Sequence, residues 1–153
     1  MTAGTTEQIN KDQADRERFG FLVNPDLTYR RIVFDDDTAR ETLGGMTGEV
    51  VDVAFDQDGN RFHAIFRPDA VQHGAEPNPV ASLARNTAET DNPEFLTDPT
   101  RAISGPVIFT ARDGASVDER TIDKVLQAIR AVENYREDNA EEFELWRNAV
   151  KNH

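Results

Sequence analysis

A chain of 153 residues is long enough to bury one core without disulfides or a structural metal. It has no cysteine, which excludes disulfide frameworks, thiolate zinc sites, iron–sulfur clusters and cysteine nucleophiles. Its 29 acidic residues against 17 lysines and arginines give a net charge of −12. Arg30-Arg31 is the densest basic pair, which argues against direct nucleic-acid binding, since that affinity comes from clustered bases displacing counterions.

Residues 1–18 are polar and without apolar periodicity, so they read as a disordered or loosely packed tail and carry no secretory signal. An α+β core domain is expected over 19–136 and an acidic amphipathic helix over 137–153. Phe19–Val23 and Tyr29–Phe34 are predicted strands around the turn signal Asn24-Pro25-Asp26. Thr38 and Glu41 have capping-box spacing for a short helix that Gly44-Gly45 ends.

Two β-rich runs, Thr47–Phe55 and Arg61–Arg67, flank Asp58-Gly59, a favoured two-residue hairpin turn. Pairing outward from that turn sets Phe55 opposite Phe62, Val53 opposite Ala64 and Val51 opposite Phe66, all apolar and on one face. Asp56 with Arg61, Ala54 with His63, Asp52 with Ile65 and Val50 with Arg67 make the other, mixed face.

Pro68–Glu76 reads as a loop, and Asn78-Pro79 as a helix start with Asn as cap and Pro in the first turn. Asp91–Arg101 has no regular period and is predicted to be a surface loop. Pro106–Ala111 is almost continuously apolar, the mark of a central strand. Ser116 and Glu119 suggest a second capping box, followed by the helical stripe Ile122, Val125, Leu126, Ile129 and Val132. Asp138 and Glu141 suggest a third cap, before Phe143, Trp146 and Val150. The order predicts an α+β fold: a mainly antiparallel sheet of about five strands, helices packed on one face, and a helical C-terminus.

Gly44-Gly45, Gly48-Glu49-Val50-Val51, Asp58-Gly59, Asn78-Pro-Val-Ala81-Ser82 and Ile103-Ser-Gly105-Pro-Val107-Ile-Phe109 form a further pattern. In it the chain, from about Phe21 to Ile129, resembles a small domain family of unknown function found in phages, plasmids and other bacterial mobile elements. The loop over Asp91–Arg101 and the acidic helix after Asp138 depart from that pattern. The resemblance implies a mobile-element setting and an α+β fold, and it carries no activity and no catalytic residues.

No motif assigns a catalytic, metal or cofactor site. His63 shares a strand face with Asp52 and Asp56, but a metal site needs a third or fourth convergent ligand, and charge pairing on a solvated face is the plainer reading. Asp56–Asn60 lacks the glycine and glutamate positions of a calcium loop. Asp35-Asp36-Asp37 suits a strand end and a helix start better than magnesium. Ser82, Ser104 and Ser116 lack a nucleophile elbow.

Two features stay open. Asn78, Gly105 and His63 would border a ligand pocket if Asn78 does more than cap its helix. Phe143, Trp146 and Val150, beside Glu141 and Glu142, would dock on the domain's own core, on a second copy, or on a protein partner. The expected function is that of a non-catalytic accessory protein of a mobile element, cytoplasmic, without cofactor, membrane contact or direct nucleic-acid binding. One alternative is an acidic DNA mimic that inhibits a host defence enzyme; another is a small enzyme with a carboxylate-based site.

Overall fold

A computed structural model describes residues 17–44, 50–57, 60–90, 99–112 and 115–152. Among the described residues five strands make one antiparallel sheet: β1 (Arg18–Val23), β2 (Tyr29–Phe34), β3 (Val51–Gln57), β4 (Asn60–Phe66) and β5 (Val107–Thr110). Their order across the sheet is β2-β1-β5-β4-β3. The α-helices described with them are α1 (Asp36–Thr42), α2 (Pro79–Thr90), α3 (Glu119–Asp138) and α4 (Ala140–Lys151), with 3-10 turns at Ala70–His73 and Pro99–Arg101. None of the described helices is long and apolar enough to cross a membrane.

The β3–β4 register is the one expected, with Val51↔Phe66, Val53↔Ala64 and Phe55↔Phe62. The turn residues Asp58-Gly59 and the run 47–49 lie outside the described residues, while Gln57↔Asn60 closes the ladder. All six apolar side chains face the main core, where Val80, Ala81 and Leu83 of α2, Ile122, Val125, Ile129 and Val132 of α3, and Phe143, Trp146 and Val150 of α4 meet them. Each large side chain sealed there contributes about 1.5–3 kcal/mol relative to exposure. Phe62 links the hairpin to the middle of the sheet, its ring 5.6 Å from Phe55 and 6.0 Å from Phe109.

β5 is central as its continuous apolar run requires, and all four of its residues are buried. The three long helices occupy one face of the sheet. The short α1 lies on the reverse face, where Ala39 and Leu43 join Leu22, Phe34, Ile65 and Ile108 in a second, smaller cluster. Gly20 belongs to that packing: a Cβ there would fall 2.5 Å from Ile108 and 2.6 Å from Phe34.

The helix starts differ from expectation in which residue caps. α1 is capped by Asp35, whose carboxylate accepts from Thr38 N–H at 2.9 Å while Asp35 N–H donates to the Thr38 hydroxyl at 2.8 Å. Asp is at least as good an N-cap as Thr, so the box lies three residues upstream of the one expected. α3 is capped by Asp118, which accepts from Thr121 N–H at 2.8 Å, and Ser116 instead accepts from Phe19 N–H at 3.0 Å. α4 begins at Asn139 without a side-chain cap bond. The boundary drawn at 136/137 falls inside α3, and α4 shares the main core, so the C-terminal helix packs as part of the domain.

Candidate interaction surface

The reactive candidates separate once placed. His63 sits on the reverse face of the sheet, its Nδ1 2.8 Å from an Asp52 carboxylate oxygen. Among the described residues no cluster of three or more His, Asp or Glu side chains could hold a metal ion. Asn78 lies on the helix side and is fully buried. Its side-chain N–H2 donates to Val23 C=O and Gly105 C=O, both at 3.0 Å, and its Oδ1 accepts from Ala81 N–H at 3.2 Å.

With both amide donors and one lone pair of its oxygen committed inside the protein, and no exposed surface, Asn78 acts as a brace. It braces α2 against the ends of β1 and the Gly105 segment. Asn78, Gly105 and His63 therefore do not form a common pocket, because the sheet stands between His63 and the other two. Ser82 is absorbed the same way, accepting from Ile103 N–H at 3.0 Å.

Phe143, Trp146 and Val150 are buried in the chain's own core, 7%, 7% and 4% exposed, so that stripe is not a docking face. Beside them a hollow of about 600 Å³ opens between the β1–β2 turn and the α3–α4 joint. Pro25, Pro77, Pro106 and Phe143 wall it, Gly105 lies at its back, and Asp26, Glu76, Arg136, Glu144 and Arg147 contribute charge. Much of that charge is bound into a strap: Arg147 reaches Glu76 at 2.9 Å and Glu144 at 3.1 Å, and Lys151 reaches Glu76 at 3.0 Å.

Hydrogen bonds from Arg147 and then Lys151 hold the Glu76 carboxyl down from the usual 4.5 to about 2. A value depressed on folding stabilises the fold above pH 4.5 and ceases to do so as pH falls toward 2. The Glu76 side chain is 40% exposed, so screening leaves a contribution of about 1 kcal/mol. Urea unfolding at neutral and at strongly acid pH should therefore show the parent chain losing about 1 kcal/mol more than Glu76→Gln. Equal pH dependence of the two chains would remove the strap from the energetics.

Asp26, Asp35, Asp69 and Asp118 are likewise lowered, each chiefly by a hydrogen bond donated to its carboxylate. A general acid needs the opposite shift, from burial or a like charge. These carboxylates are structural acceptors.

The surface offers something different. Large hydrophobic side chains stand out at Phe19 (56% exposed), Tyr29 (49%), Val33 (53%) and Leu145 (70%). The first three share the helix-side face of β1–β2, with Phe19 directly opposite Val33 and Tyr29 opposite Val23. The helices cover β3, β4, β5 and part of β1 but contribute no contact that buries β2 into the main core. Val117 lies alongside, its N–H donating to Phe19 C=O at 2.9 Å. Phe19, Arg31, Ile32, Val33 and Val117 line a cleft of about 230 Å³.

Sequence reasoning placed both strands and missed that their shared face is open. The available signal was Arg31, which falls between Tyr29 and Val33 on that face, where a covered strand would carry an apolar residue. No family model, no curated protein and no solved structure matches this chain, so what the surface does must be argued from its own residues.

Proposed function

We propose that this chain is a non-catalytic interaction protein, an accessory factor of a bacterial mobile element, working in the cytoplasm through protein–protein contact at the β1–β2 surface. The observation that carries this reading is the row Phe19–Val33 with Tyr29 beside it, three large apolar side chains about half exposed on an edge of the sheet. Exposed apolar residues scattered singly need no explanation, but a group on one strand pair favours a contact surface. The mobile-element setting draws its support from the Gly- and Asn-centred pattern between Gly44 and Phe109. A reducing cytoplasm suits a chain without cysteine.

The alternatives draw less support. A DNA mimic needs carboxylates in a long unbroken row, yet along α3 and α4 the acids Glu133, Glu137, Asp138, Glu141, Glu142 and Glu144 are broken by Arg136 and flanked by Arg130, Arg147 and Lys151. A general acid at a carboxylate site needs its pKa pushed up, and among the described residues every carboxylate with a resolved shift is pushed down.

Covalent capture of the full chain from bacterial cells, compared with a Phe19→Asp/Val33→Asp variant, tests the reading. Neighbouring protein, including further copies of the chain itself, should be captured roughly tenfold less by the variant, with its melting temperature unchanged. Capture of the same proteins in the same amounts by both chains would refute the contact surface.

A further inference from the structure

β2 is an edge strand, so alternate residues direct N–H and C=O groups away from β1, and no strand pairs with them among the described residues. Its ladder with β1 is regular over all six residues, with no bulge to turn the edge aside. The other edge, β3, differs: its helix-side residues Val51 and Val53 pack against the main core. β2 thus combines a straight, open edge with an exposed apolar face.

We infer that β2 pairs antiparallel with β2 of a second copy, about a two-fold axis at Val33, joining two sheets into one. The inference rests on the interaction reading above and names its partner. Its basis is that, of the registers centred on Arg30, Arg31, Ile32 or Val33, only the last sets unlike charges and like apolar side chains opposite each other. Antiparallel partners directly opposite each other share a face, and a two-fold axis normal to the sheet relates them, so some residue must face its own copy.

If that residue were Arg30 or Arg31, like charges would meet at the axis. Ile32 at the axis would set Arg31 opposite Val33 and Arg30 opposite Phe34, each charge against an apolar side chain. Val33 at the axis sets Val33 against Val33, Ile32 against Phe34, and Arg31 against Asp35 of the second copy.

The backbone permits that register. Asp35 is still extended, with φ −120° and ψ −175°, and because its N–H donates to the Thr38 hydroxyl and its C=O accepts from Ala39 N–H, it is the Asp35 side chain that meets Arg31 across the axis. Arg30 then falls beside the start of the second copy's α1, where Asp36 and Asp37 lie in the first turn. Arg30 and Arg31 of one copy thus meet the acids that follow β2 in the other, twice. On the helix side, Phe19 lies opposite Val33 within each sheet, so an apolar row Phe19–Val33–Val33–Phe19 would cross the axis unbroken. The existing Arg31–Glu119 pair is 58% and 74% exposed, and such a surface pair costs little to exchange.

The absence of native cysteine makes the test direct. Val33→Cys places one thiol at the axis, and mild oxidation of the full chain should give roughly tenfold more covalent dimer than Leu145→Cys, which is also exposed and apolar. Sedimentation equilibrium of the unaltered chain should show a dimer in the micromolar range. Val33→Asp should weaken it roughly a hundredfold, because two carboxylates would meet face to face, while circular dichroism and melting temperature stay unchanged.

A monomer at every concentration, or a dimer indifferent to Val33→Asp and not trapped by Val33→Cys, overturns the inference. If the chain is monomeric but its cellular contacts still fall with Phe19→Asp/Val33→Asp, the interaction reading stands and the second copy is not the partner. If it is monomeric and capture is also unaltered, both fail.

Discussion

Replacing Trp146 with alanine is expected to cost about 3–5 kcal/mol of folding free energy, the range for removing a large aromatic side chain from a packed core. Trp146 is 7% exposed, its ring centroid is 6.1 Å from that of Phe143, and both belong to the cluster that includes Phe55 and Phe109. The substitution distinguishes two roles for α4. A helix held against its own sheet transmits the cavity to global stability. A detachable contact helix would lose about 1 kcal/mol or less, because its apolar face would contribute mainly to the complex. Denaturant unfolding followed by circular dichroism is the measurement, since Trp146 is the chain's single tryptophan and its fluorescence disappears with it. An unchanged slope against denaturant with a lowered midpoint would confirm that the loss lies in stability.

The Asn78 brace should be nearly as costly to remove. Asn78→Ala gives up a cap, about 1 kcal/mol. It also removes the amide's donations to two buried carbonyls, Val23 C=O and Gly105 C=O, at up to about 1–3 kcal/mol each. A loss of about 2–4 kcal/mol is expected after partial relaxation. Asn78→Asp is the sharper variant. Aspartate caps helices as well as asparagine does, so if capping were the whole role the exchange would be neutral to within about half a kcal/mol. In the brace, the carboxylate instead faces two carbonyl oxygens in a fully buried position, and the cost should match or exceed that of alanine at neutral pH. It should shrink in acid, where the buried carboxyl binds a proton and recovers a donor.

What could be read from the residues, and what could not, divides along the reach of the interactions. The β3–β4 register followed from a two-residue turn and strict alternation over a short span, and the strands pair in that register residue by residue. The same parity put His63 on the face opposite Phe62, so its separation from Asn78 was already implicit. The stripe of α3 and the start of α2 at Pro79 are equally local.

The cap of α1 slipped by three residues because Asp35–Thr38 and Thr38–Glu41 offer the same chemistry, and only one can sit where β2 stops. Asn78's side-chain partners are 55 and 27 residues away in sequence, beyond any local pattern. The stripe of Phe143, Trp146 and Val150 announces an apolar face without naming the surface that covers it. Phe19, Tyr29 and Val33 are the converse case. Alternation assigns them a face, but only the placement of three distant helices shows that β2 on that face stays open. The candidate contact surface is therefore a property of the assembled fold.

The central proposal is that β2 pairs with β2 of a second copy, and amide hydrogen exchange along Tyr29–Phe34 in the full chain measures it most directly. Amides directed away from β1 should exchange slowly when the chain is concentrated, and quickly after dilution or in Val33→Asp, while those paired with β1 stay protected throughout. Outward amides that exchange at one fast rate at every concentration, and identically in the variant, would contradict it.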